Sequence, residues 1–196
     1  MAKIEHITDI IQLSYFPENE AIPTQLEEIV HAFKMSYDVI KSPDKRLSSN
    51  GVLFEVSKHL SSSQLFEYEK IYLNSNGNYV AQKGKKLKLD VNLEHYSGKK
   101  REFNPDIMSK DGKIIVEVEA GQAVDNYRFL KDLYESMIYT TCEYLVICVR
   151  NAYSTFSKNG DVKSTQYDFE TISDFMKWLF LSRVSVPLKG LLVIGY

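Results

Sequence analysis

The sequence is poor in most of the residues on which familiar chemistries are built. It has two cysteines, Cys142 and Cys148, six apart in TTCEYLVICV, with no CxxC spacing and no adjacent histidine. That pattern argues against a disulfide framework or a zinc cluster and for small apolar residues on one strand of a reduced protein. The four histidines, at 6, 31, 59 and 95, form no HxH or HNH-like arrangement. Glycine numbers only 9, and neither a Gly-rich phosphate loop nor a GxSxG elbow occurs. No run approaches the roughly 20 apolar residues that span a bilayer. The first stretch, MAKIEHITDIIQLSYF, sets Glu5, His6 and Asp9 within its apolar pattern, unlike a secretory signal, so a cytoplasmic protein without a membrane partner is expected. Charge of one sign is lacking too. With 24 Lys and Arg against 26 Asp and Glu, the net charge is −2, and only local clustering can carry meaning.

What is present is a core. A chain of 196 residues with 44% hydrophobic and 12% aromatic content can bury one sizeable interior, so residues 1–196 are expected to form a single domain. Residues 23–38 have helical spacing through Leu26, Ile29, Val30 and Phe33, with Thr24 and Glu27 placed as a capping box. Val52, Leu53, Val56 and Leu60 suggest a second helix. From about Tyr72 to Ala120 the pattern turns to short strands. Asn76-Gly77 marks one hairpin, and Leu87, Leu89, Val91 and Leu93 alternate as on a half-buried strand.

Helical spacing returns over 125–139, with Asp125 as N-cap, and EYLVICV (143–149) has the length and composition of a strand covered on both faces. A polar loop is expected from Tyr153 to Gln166. A last helix, YDFETISDFMKWLFLSR, points Phe169, Ile172, Met176, Leu179 and Phe180 inward, with Trp178 and Phe175 also at core spacing. LKGLLVIGY is the final buried strand. Helices alternating with central strands predict an α/β fold, a mixed β-sheet flanked by helices.

One stretch does not serve folding. FNPDIMSKDGKIIVEVEAG (103–121) has the form of a hairpin around Asp111-Gly112, yet it spends strand positions on Asp106, Glu117 and Glu119. A two- or four-residue loop on that turn pairs Met108 with Ile115, Ile107 with Val116, and Asp106 with Glu117. Opposed residues have Cβ atoms about 5 Å apart on one face, and Glu119 joins that face roughly 6.6 Å further along. Ile107, Val116 and Val118 point to the other side. Like charges so placed repel, whereas hard carboxylate oxygens on a rigid sheet suit Mg²⁺ or Mn²⁺. A solvated sheet face is the bland alternative. Pro105 before the register-matched Asp106 weighs against it.

These residues resemble the PD-(D/E)XK nuclease superfamily. Pro105-Asp106 is followed after ten residues by Glu117-Val118-Glu119, where the family has Pro-Asp, a hairpin, then an acid, any residue and usually lysine. The order helix, acid hairpin, helix, buried strand is similar to that family's core and covers about residues 50–149. Glu119 in place of lysine looks like the BamHI/BglII branch of type II restriction endonucleases. The resemblance implies a restriction-endonuclease-like domain and Mg²⁺- or Mn²⁺-dependent hydrolysis of phosphodiester bonds in double-stranded DNA, by a homodimer with a restriction or defence role. It implies Asp106, Glu117 and Glu119 as catalytic residues, with Asp106, Glu117, the Val118 carbonyl and Glu55 on the preceding helix as metal ligands.

Basic residues cluster nearby. Lys83, Lys85, Lys86, Lys88, Lys99, Lys100 and Arg101 outnumber Asp90 and Glu94 between 83 and 101, and Arg128 and Lys131 follow the acids. Lys85, Lys86, Lys99, Lys100, Arg101, Arg128 and Lys131 are candidate nucleic-acid contacts. Edge lysines that discourage sheet aggregation are the plain alternative. The missing lysine at 119 also admits an inactive nuclease fold kept for binding nucleic acid or a protein partner. A glycosidase is disfavoured, because acids two apart on one strand lie side by side instead of flanking a bond.

Overall fold

The two continuous apolar runs form the middle of a six-stranded mixed sheet. The computed structural model describes residues 11–60, 65–82, 89–91, 101–121, 123–182 and 184–196, with the side chains of 89–91, 101, 102 and 126 excepted. The chain opens with strand β1 (Gln12–Phe16) and helices α1 (Thr24–Ile40) and α2 (Ser49–Leu60). Short strands follow: β2 (Phe66–Tyr68), β3 (Ile71–Leu73), β4 (Tyr79–Ala81), β5 (Leu89–Val91) and β6 (Arg101–Phe103). Next come β7 (Ile107–Ser109), β8 (Ile114–Glu119), α3 (Arg128–Ile138) and β9 (Tyr144–Val149). The hairpin β10 (Tyr153–Phe156) and β11 (Val162–Gln166), helix α4 (Asp168–Leu181) and β12 (Gly190–Gly195) complete it.

The sheet order is β1-β12-β9-β8-β7-β2. The three central strands β12, β9 and β8 are parallel, and β1, β7 and β2 add antiparallel edges. Both faces are covered, which is why β9 and β12 carry no charged residue and β8 carries only Glu117 and Glu119. Val116, Val118, Val146, Cys148, Leu192 and Ile194 pack with α1 and α2 on one face. Ile115, Leu145, Ile147, Val149, Leu191 and Val193 pack with α3 and α4 on the other. Each such side chain contributes about 1.5–3 kcal/mol by leaving water, so a charge on β8 forgoes a gain of that size. Cys142 and Cys148 are both free and buried, but only Cys148 lies on β9; Cys142 precedes the strand.

Several local expectations are overturned. Thr24 does not cap α1: Pro23 holds the N-cap position and no side chain caps the helix, since proline's fixed φ already sets the entry. Asp125 does not cap α3. It opens a 3₁₀ turn over Asp125–Tyr127, and Tyr127, in the left-handed region at φ 53°, stands at the N-cap.

The segment 153–166 is no loop. β10 and β11 pair antiparallel, and hydroxyls face each other across them, Ser154 with Thr165 at 3.0 Å and Thr155 with Ser164 at 2.6 Å. Threonine and serine pairs stabilise a ribbon that has no apolar face to announce it. Trp178 is not core but 74% exposed, and Phe175 stands at the surface margin of α4. The inward stripe of α4 is Phe169, Ile172 and Met176, with Leu179 and Phe180 half-buried beside it. The N-terminal strand β1, not expected as a strand, is recruited by pairing with β12.

Candidate functional site

The acid hairpin forms in the register its turn dictates: Ile107 pairs with Val116 and Met108 with Ile115. The connection is the four-residue loop 110–113. Gly112 takes φ +71° in it, a conformation that glycine adopts without cost, and its N–H bonds the Ser109 carbonyl at 2.8 Å. The Ser109 hydroxyl in turn donates to Asp111 and accepts from the Ile114 N–H, locking the turn. Val116 and Val118 face α1 and α2, so alternation turns Glu117 and Glu119 toward α3.

One step beyond the Ile107–Val116 pair, Asp106 stands beside Glu117. Its carboxylate, not its backbone, takes the next ladder donor: Asp106 Oδ2 accepts the Val118 N–H at 2.9 Å. The Asp106 carbonyl accepts the Glu69 N–H at 2.9 Å, which ties the end of β2 to the same point. Proline at 105 suits this place, since the strand begins after it and no donor is lost.

Two groups join these acids from α3. Asp132 is 5% exposed, and its Oδ2 is buried with no hydrogen-bond partner among the described residues. Lys131 pairs with Asp132 Oδ1 at 3.7 Å and with Glu135 Oε2 at 3.0 Å. The electrostatics show the crowding. Burial pushes the Glu117 carboxyl well above its ordinary value, the charges of Asp106 and Asp132 push it the same way, and Lys131 draws it back. Asp132 is raised from 3.8 to about 7, first by burial and then by Glu119. Glu119 is raised by burial, while Arg128 and Lys131 pull against that rise. Too little positive charge is present for the carboxylates gathered there.

No family model matches this chain, and no curated protein matches it.

The donor chemistry fits a hard dication: the acids offer only carboxylate oxygen, one such oxygen is buried without a partner, and mutual repulsion would be relieved by added positive charge. The side chains are not drawn together as tightly as the hairpin register alone suggested. Among the described residues, no three His, Cys, Asp or Glu side chains stand grouped to hold an ion. Asp106 is held by the Val118 N–H, and Glu119 lies within reach of the Arg128 charge.

The remaining expected residues divide. Glu55 lies on α2, against the opposite face of the sheet from Glu117, and is paired with Lys58 at 2.5 Å. Val118 contributes its N–H to Asp106 as described. Arg128 and Lys131, expected as strand contacts, stand close enough for their charges to act on Glu119, and Lys131 acts on Glu117 as well. Lys85, Lys86, Lys99 and Lys100 lie outside the described residues, and of Arg101 only the backbone in β6 is described.

Sequence reasoning missed Asp132, Glu135 and Glu69. Asp132 had a readable signal, an acid on the inward stripe Phe129, Leu133 and Ser136 of a strongly amphipathic helix. Glu69 is buried with Oε1 unpartnered among the described residues, and its position beside Asp106 follows only from the pairing of β2 with β7.

Proposed function

We propose that this chain is a metal-dependent nuclease that hydrolyses phosphodiester bonds in DNA, with Asp106 and Glu117 as the ligands of Mg²⁺ or Mn²⁺ and Asp132 as a further carboxylate from α3. The observation that carries the reading is the tie between Asp106 and the Val118 N–H, which fixes two acids side by side on a rigid sheet where burial and repulsion both oppose their charge. A dication bound there would polarise a phosphoryl oxygen and acidify a bound water. The chain's own groups then have separate tasks. Glu119, with its carboxyl raised by burial, suits proton transfer to or from a bound water. Lys131 supplies beside Glu117 the amine that the superfamily's pattern carries at position 119, and Arg128 offers charge to a phosphate.

Duplex DNA as substrate, action as a homodimer and a restriction or defence role extend the same reading. Two copies make cutting of both strands simple. Cleavage of supercoiled plasmid with Mg²⁺ or Mn²⁺ tests it: nicked and linear product is expected from the native chain and none from Glu117→Gln. Equal cutting by that variant overturns the site.

A nuclease fold kept for binding alone is the second reading. Lys131 favours it, because its pairing with Asp132 and Glu135 already offsets part of the negative charge. Calorimetric titration with Mn²⁺ separates the two, since a binding module needs no ion at these acids.

A further inference from the structure

A second cleft opens immediately beyond the acids, and nothing in the nuclease reading has used it. Its volume is about 450 Å³, and its walls come from the turn before α2 (Arg46, Leu47 and Ser48), from Ala120 at the end of β8, and from Arg150 with the hairpin strand β10. Two guanidiniums line it and, among the described residues, no carboxylate does. Among the described residues neither Arg46 nor Arg150 is in an ion pair, although Arg150 is 7% exposed. The charges of Arg150 and Asp168 act on each other, whereas Arg46 has no such counter-charge among the described residues, and an anion seated in the cleft would meet both guanidiniums.

Both guanidiniums are held in place in advance. Arg46 sits over the Phe156 ring, 3.7 Å from its centroid, and Arg150 stands 5.3 Å from the Tyr153 centroid while donating to the Leu47 carbonyl at 2.7 Å. Stacking fixes the plane of a guanidinium and leaves edge N–H groups for a second acceptor, the arrangement that suits phosphate. Ser48, Ser154 and Thr155 add polar residues to the same walls. The cleft's place beside the acids is built into the backbone. Gly121 has φ +99°, and a Cβ there would lie 2.5 Å from the Tyr153 ring, so only glycine lets the hairpin close against the end of β8.

We infer that this cleft binds a phosphodiester group of the nucleic-acid strand that passes the acids, with Arg46 and Arg150 as its cationic clamp and the β10–β11 hairpin as the wall that guides the strand. The inference rests on the nuclease reading for the identity of its anion. Inorganic phosphate offers the same chemistry without the strand, and the test keeps the two apart.

Fluorescence anisotropy on the full chain in EDTA, with a labelled single-stranded 12-mer and its duplex, gives affinity and salt dependence. Arg46 is exposed, so Arg46→Gln leaves folding intact, and Lys34→Gln, an equal loss of charge on the outer side of α1, is the control. Arg46→Gln is expected to weaken oligonucleotide binding roughly tenfold and to flatten the salt slope by about 0.7 for the single strand. Lys34→Gln should change neither. Inorganic phosphate at millimolar concentration should not displace the oligonucleotide. Displacement by phosphate, equal effects of the two variants, or an unchanged Arg46→Gln each overturn the clamp. Plasmid cleavage by the same preparations decides the nuclease reading separately. Cutting that persists while Arg46→Gln binds normally removes the cleft alone, and weakened binding without any metal-dependent cutting removes the nuclease alone.

Discussion

The carboxylate of Asp106 takes the place of a backbone acceptor for the Val118 N–H, at 2.9 Å, so one side chain both ends the β7–β8 ladder and points an acid at Glu117. Structure and chemistry are therefore separable at this residue. Asp106→Asn keeps an oxygen for the Val118 N–H and removes the charge; Asp106→Ala removes both. In urea denaturation the alanine variant is expected to lose about 1–3 kcal/mol, the cost of a stranded donor, and the asparagine variant less than half of that. Both should lose plasmid cleavage. An asparagine variant that cuts like the native chain would place the ion elsewhere.

Asp132 is buried with an unpartnered oxygen and an elevated carboxyl. Without metal, Asp132→Asn should therefore melt higher than the native chain at pH 7.5, because a strained negative charge is gone. Millimolar Mn²⁺ should raise the native melting temperature, since a ligand bound only by the folded state stabilises it. That rise is expected to shrink to less than half in the variant. An undiminished rise would mean that Asp132 stands apart from the ion.

Lys131 is 68% exposed, so its ion pairs with Asp132 and Glu135 hold the fold only weakly, below about 1 kcal/mol. Lys131→Met should leave the urea midpoint almost unchanged while lowering kcat at least roughly tenfold, the usual scale for a positioned polar group. A change confined to KM would return this lysine to the plainer role of holding the strand.

The buried Asp168 gives the fold a pH dependence of its own. Both of its carboxylate oxygens lack partners among the described residues, and burial, with help from Asp125, lifts the carboxyl from 3.8 to about 6. Between those values the folded state carries the extra proton, so this group's contribution is intact below about pH 4 and declines until about pH 6. Asp168→Asn abolishes the decline. Its stability advantage over the native chain should grow from pH 4.5 to pH 7.5, to on the order of 3 kcal/mol. Urea titrations of both proteins across that range check it, and an advantage that stays constant would sink the assignment.

The legible parts of this protein were those in which one local pattern has one structural solution. EYLVICV and LLVIGY could only be strands covered on both sides, and the spacing of Leu26, Ile29, Val30 and Phe33 could only be a helix with one buried face. The Asp111-Gly112 turn fixed the hairpin register, because side chains alternate strictly along a strand and a shift of one residue would have buried Glu117 among the valines. Polar segments were harder. The ribbon of 153–156 with 162–166 has hydroxyls on both faces, so no hydrophobic period betrays it, and Trp178 shows that helical spacing names a stripe without saying how wide the covered part is.

Local pattern was enough for the α/β alternation, the central strands and the pairing that sets Asp106 beside Glu117, since these depend on periods of 2 and 3.6 residues and on a short turn. It took the packed fold to show that Asp132 and Lys131 enter the same space from α3, that Glu69 abuts Asp106, and that Arg46 and Arg150 line one cleft. Those neighbours lie tens of residues apart in the chain, or on elements whose mutual orientation is set by how α3 and the β10–β11 hairpin pack on the sheet. Pattern along a strand or helix gives the direction of a side chain, and packing alone gives what it meets.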